Sequence, residues 1–89
     1  MSKHQSHPEV AKRLKRAEGH LRTVIAMIEG GRPCVDIAQQ LHAVEQAVAR
    51  AKKALIGDHI GHCLDDAVAQ GGAAARAAVG ELKILAKYL

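Results

Sequence analysis

Residues 33–64 read PCVDIAQQLHAVEQAVARAKKALIGDHIGHCL, and the apolar positions in this stretch decide the fold. Ile37, Leu41, Val44, Val48, Ala51 and Leu55 recur at spacings of 4, 3, 4, 3 and 4, the period of a helix with one apolar stripe. The stripe shifts register at Gly57 and resumes through Ile56, Ile60, Leu64 and Ala67, which predicts a helix that bends there without ending. Pro33 suits a first turn and Gln70-Gly71-Gly72 a stop. One continuous helix from about Pro33 to Ala69 is on the order of 55 Å long at ~1.5 Å per residue.

The flanks read the same way. Val10, Leu14, Ala17, Leu21, Val24 and Ile28 form a second stripe at helical spacing, opened by Pro8 and closed by Gly30-Gly31. A third, shorter helix is expected through Val79, Leu82, Leu85 and Leu89, in Ala-rich surroundings without strand signals. The chain has 89 residues with a single aromatic, Tyr88. That leaves room for one all-α domain over residues 1–89, with 1–7 expected as a flexible N-terminal arm. The first helix is too short to cover the long one, and a thin Ala-rich layer is marginal alone. The uncovered stripe therefore predicts self-association, satisfied by antiparallel pairing about a twofold axis near Val48.

Residues 1–22 carry Lys3, Lys12, Arg13, Lys15, Arg16 and Arg22 against Glu9 and Glu18, so the whole net charge of +4 falls on the first helix and its approach. Such a basic helix suggests a polyanionic partner, although a solvated basic face gives the same pattern. No helix-turn-helix, zinc-finger or homeodomain spacing is present. DNA would instead be tracked along its phosphates by Lys12, Arg13, Lys15 and Arg16 with Arg50, Lys52 and Lys53. The chain shows no nucleophile, base and orienter set and no phosphate loop, so neither an enzyme nor a small-molecule substrate is expected. No apolar run reaches signal-peptide or membrane-spanning length, which points to a cytoplasmic protein without membrane contact.

Two Cys in a reducing compartment are more often ligands, redox centres or buried thiols than a disulfide. His59 and Cys63 stand at i and i+4 on one face, a spacing that suits Cu(I), Zn(II), Ni(II) or Co(II). Equally, they read as a helix His and a core thiol. Cys34 lies 25 residues before His59, roughly 37 Å along a helix, so the two cannot meet within one chain. In an antiparallel dimer centred near residues 47–48 they meet across chains, and that centre is also the middle of the apolar stripe. The implied site takes Cys34 from one chain and His59 and Cys63 from its partner, twice per dimer. His42 lies mid-helix without a nearby thiol and reads as a packing residue or a hydrogen-bond partner of a ligand. Gly57 and Gly61 bracket His59, where they either weaken the helix or let the ligand turn deform.

Three segments together resemble one family: RLKRAEGHL at 13–21, PCVDIAQQLHAV at 33–44 and DHIGHCL at 58–64. The chain is similar to the CsoR/RcnR family of small all-helical repressors that respond to metals or thiols. The resemblance implies a disc-shaped homotetramer, a dimer of dimers, that binds operator DNA when metal-free. It further implies that Cys34, His59 and Cys63 match the Cys-His-Cys ligands of the Cu(I)-sensing branch, with S₂N coordination bridging two subunits. Arg13 and Arg50 match DNA-binding positions, and Glu81 matches a carboxylate that couples the metal to release. The chain departs from the copper branch at Pro33, where a Tyr often stands. Ser2 occupies the position of an N-terminal His ligand in the Ni(II)/Co(II) branches, and His4, His7 and His62 add nitrogen donors of the kind those branches recruit. Cu(I) is the expected effector, Ni(II) or Co(II) the alternative within the family, and a metal-buffering module without DNA activity the alternative outside it.

Overall fold

The computed structural model describes residues 6–89, which form α1 (His7–Glu29), α2 (Cys34–Gln70) and α3 (Gly72–Leu85), followed by a 3₁₀ turn at Ala86–Tyr88. The all-α fold expected from the periodicity is the one observed. Helix α1 begins at His7, with Pro8 in its first turn, where the missing amide hydrogen costs nothing. The seventh residue of the expected arm therefore belongs to α1. Among the described residues no helix is long and apolar enough to cross a membrane.

Two Gly-Gly pairs set the topology. Gly31 takes φ +69, and the Gly31 and Arg32 amides donate to Ile28 O at 3.1 Å and Met27 O at 3.0 Å. This paired closure is the Schellman motif, which satisfies the last carbonyls of α1. Pro33 is extended (φ −58, ψ 139) and stands just before the helix, not within its first turn. Its carbonyl accepts the Ile37 amide at 3.1 Å, so α2 starts at Cys34. Gly71 (φ +66) and Gly72 (φ +54) form the second corner, a backbone that side chains with a Cβ rarely adopt. Each corner turns the chain through an antiparallel helical hairpin. Helix α2 passes Gly57 and Gly61 without interruption, so the register shift bends no helix to a stop.

The heptad stripes divide into two seams. Val10, Ala17 and Val24 of α1 and Val44 and Ala51 of α2 are buried, each seven residues from the next, and close the α1–α2 contact. The alternate positions stay uncovered: Leu14, Leu21 and Ile28 on α1 are 42%, 41% and 57% exposed, and Leu41, Val48 and Leu55 on α2 are 46%, 43% and 38% exposed. On α3 the inward residues are Ala78, Leu82 and Leu85, while Val79 and Leu89 of the expected stripe are exposed. Ala78, one residue from the expected Val79, is small enough to bring α3 close to α2.

The subunit measures 59 × 27 × 13 Å with a radius of gyration of 18.0 Å. A compact chain of this length has a radius of about 12 Å, and 13 Å is little more than one helix diameter. The three helices thus lie in a single layer. One chain leaves one apolar seam of its long helix open along its length.

Candidate metal centre

The second hairpin brings three donor groups together. His59 and Cys63 lie on adjacent turns of α2, and Glu81 reaches them from α3 across the Gly71-Gly72 corner. His59 Nε2 lies 2.5 Å from Glu81 Oε1, and Cys63 Sγ lies 3.4 Å both from His59 Nε2 and from Glu81 Oε2. The carboxylate only accepts, so the imidazole and the thiol donate to it. These bonds hold the Glu81 carboxyl below its ordinary value, first through His59 and then through Cys63.

One ligand atom from each residue falls within 4.8 Å of the other two. A sulfur, a nitrogen and an oxygen donor so placed, with His59 and Cys63 half-buried, form a set that a transition metal can use. The walls around them are Ile60, Leu64, Ala78, Leu82 and Leu85, while Glu81 itself is exposed.

Cys34 is exposed at the other end of α2, and neither Cys34 nor Cys63 forms a disulfide. The 37-residue helix between its ends keeps Cys34 out of its own chain's trio. Of the additional nitrogen donors, His62 turns to Asp58, with Nε2 3.3 Å from Oδ1. His7, in the first turn of α1, lines a cavity with Leu55, Ile56, His59, Glu81 and Leu85. Ser2 and His4 lie outside the described residues. His42 is 67% exposed and faces Glu45, with Nδ1 3.7 Å from Oε1. Seventeen residues of helix, roughly 25 Å, separate it from His59, so it neither packs in the core nor supports the trio of its own subunit.

The basic residues sort into two groups. Arg13 and Arg16 of α1 and Arg50 of α2 line one open groove with Glu9, Ala17, His20 and Ala47. Lys12, Lys15, Lys52 and Lys53 are exposed and do not line it. Glu9 pairs with Arg13 at 3.9 Å, a contact between exposed side chains that is worth little and yields readily to another anion. Two partnerships have no local signal in the sequence. Glu81 meets His59 across 22 residues, and His20 meets Gln40 across 20, with Nε2 2.7 Å from Oε1. Neither pair has a helical spacing, but each is nearly symmetric about a Gly-Gly corner, which is the signal that hairpin register supplies.

Comparison with known proteins bears on this arrangement of a sulfur–nitrogen–oxygen trio and a separate basic groove. The chain is 38% identical to the copper-sensing transcriptional repressor RicR of Mycobacterium tuberculosis, over 86% of this chain and 80% of RicR. It is 37% identical to the copper-sensing transcriptional repressor CsoR of Bacillus subtilis, over 80% of this chain and 81% of that one. The solved structure of the nickel-responsive transcriptional regulator InrS superposes with a TM-score of 0.85 at 32% identity, covering 99% of this chain and 96% of InrS. Residues 6–87 match the family of metal-sensitive transcriptional repressors, and the protein belongs to that family.

Proposed function

We propose that the protein is a cytoplasmic Cu(I)-responsive repressor, a homotetramer built from two antiparallel dimers, which holds operator DNA when metal-free and releases it when Cu(I) binds. The observation that carries this reading is the division of ligands along α2. His59 and Cys63 lie together at one end, and Cys34 stands exposed at the other, with the half-exposed seam Leu41, Val48 and Leu55 between them. Antiparallel pairing over that seam puts Cys34 of one subunit beside His59 and Cys63 of its partner.

The donor set fits the ion. Two thiolates and an imidazole are the soft and borderline ligands that Cu(I) prefers, and hard oxygen donors are secondary. When bound, the metal would supply a bond between subunits that the metal-free dimer lacks. The rest falls to the protein. Glu81 orients the His59 ring and ties it to α3, so a change at His59 is transmitted to α3. The groove of Arg13, Arg16 and Arg50 seats phosphates at a distance from that centre, so release depends on the shape of the assembly and not on covering the DNA face.

Ni(II) or Co(II) is the second reading, favoured by His7, which lines the cavity next to His59 and Glu81 and adds a nitrogen donor. A gel shift with duplex DNA from the promoter region upstream of the protein's own gene tests both. Cu(I) is expected to lower affinity roughly 5- to 150-fold, with Ni(II) and Co(II) markedly less effective. Release by Ni(II) or Co(II) alone would select the second reading, and unchanged affinity with every metal would reject both.

A further inference from the structure

The α1–α2 groove contains a titratable side chain that phosphate binding by the three arginines leaves unused. His20 stands one turn from Arg16, half-buried in the groove wall, with Nε2 2.7 Å from Gln40 Oε1. A carboxamide oxygen only accepts, so Nε2 carries the hydrogen of that bond. In the neutral ring Nδ1 is then a lone pair, which repels a phosphate oxygen. In the imidazolium Nδ1–H donates instead, and the ring gains a charge.

The groups around the ring decide when each form is favoured. From α1, Glu9, Arg13 and Arg16 line the same groove, and from α2 Arg50 does, with the neutral Gln40 behind. A phosphate seated among them places negative charge beside the ring, which favours its charged form.

Resting on the DNA-binding reading, we propose that His20, anchored by Gln40, is a fourth phosphate-binding side chain of the groove and takes up a proton when a phosphate of duplex DNA enters it. Operator binding is then linked to pH through one residue that is not among the proposed metal ligands. The linkage is one proton at most, so affinity changes by no more than about tenfold per pH unit. The contact carries no base information, so an unrelated duplex shows the same linkage.

The test uses the metal-free full-length protein, its own promoter duplex and an unrelated duplex of equal length. Affinity is measured by fluorescence anisotropy at about pH 6 and about pH 8, and proton uptake by calorimetry in two buffers of different ionisation enthalpy. Wild type is expected to bind about 3- to 30-fold more tightly at the lower pH and to take up a fraction of a proton. His20→Gln should bind with the weaker affinity at both pH values, and His20→Arg with the stronger affinity at both, each without the His20 share of uptake. Wild-type pH dependence and uptake in both variants would overturn the proposal while leaving DNA binding standing. If wild type binds neither duplex at either pH, the repressor reading and this inference fall together.

Discussion

His59 donates to Glu81 at 2.5 Å across the α2–α3 hairpin, and this bond ties the His59 turn of α2 to α3. Because it lowers the Glu81 carboxyl below its ordinary value near 4.5, the carboxylate stabilises the fold above that value. The contribution disappears as pH falls through the lowered folded-state value. Glu81→Gln should therefore melt below wild type at pH near 6, with the gap closing below about pH 4. Thermal unfolding of the metal-free proteins across that range measures it. A gap that stays constant with pH would mean that Glu81 acts through packing and not through its charge.

Much of this site was legible in the chain. The 4-3-4-3 spacing from Ile37 to Leu55 set the length of α2, and that length alone separates Cys34 from His59. What spacing could not supply was which half of each stripe faces its own chain. Ala17 and Ala51 are buried while Leu14 and Val48 are half-exposed, although hydrophobicity ranks them the other way. Small residues let α1 and α2 approach closely, and the bulkier ones are left for a second surface. Glu81 was legible only through family resemblance, and the His20–Gln40 pair not at all, because both depend on how many residues each Gly-Gly corner consumes.

Val48 sits mid-way along the open seam of α2. A carboxylate there would be buried unpaired against its own copy if the twofold axis passes nearby. Val48→Asp is expected to convert the oligomer to smaller, less stable species in sedimentation velocity, with the same helical fold at high concentration. An unchanged sedimentation coefficient would place the interface elsewhere.

Crossed ligands predict complementation. In a mixed dimer of Cys34→Ala and Cys63→Ala subunits, one site loses both thiols and the other keeps both. Each variant alone should lack the high-affinity Cu(I) site, and co-refolded mixtures should recover up to half the wild-type capacity in the dimers that are mixed. Titration against a chromophoric Cu(I) chelator reads this directly, and absence of any recovery would rule out the intersubunit site.

Gly57 and Gly61 are interior to α2, and a Cβ at either meets nothing within 4 Å in the subunit. Replacing each by Ala should stabilise the helix by about 0.5–1 kcal/mol, raising Tm by about 2–8 °C. If the two glycines serve the ligand turn, Gly57→Ala/Gly61→Ala should keep operator binding yet respond to Cu(I) less. A more stable protein with an undiminished response would assign them no part in sensing.

If metal and DNA bind the two separate surfaces proposed above, thermodynamic linkage makes their antagonism reciprocal. If Cu(I) lowers operator affinity by some factor between roughly 5 and 150, saturating operator must lower Cu(I) affinity by the same factor. Substitutions should separate the two ends of this linkage. His59→Ala, which removes a proposed ligand and the anchor of Glu81, is expected to spare metal-free DNA binding and to abolish release. Arg13→Ala or Arg50→Ala should weaken DNA binding at every metal level and reduce the slope of log affinity against log salt by about 0.9 for each phosphate left unneutralised. Chelator competition with and without operator, beside a salt titration of each variant, measures all three. Equal Cu(I) affinity in the presence and absence of saturating operator would break the linkage, and with it the proposal that this chain releases DNA in response to copper.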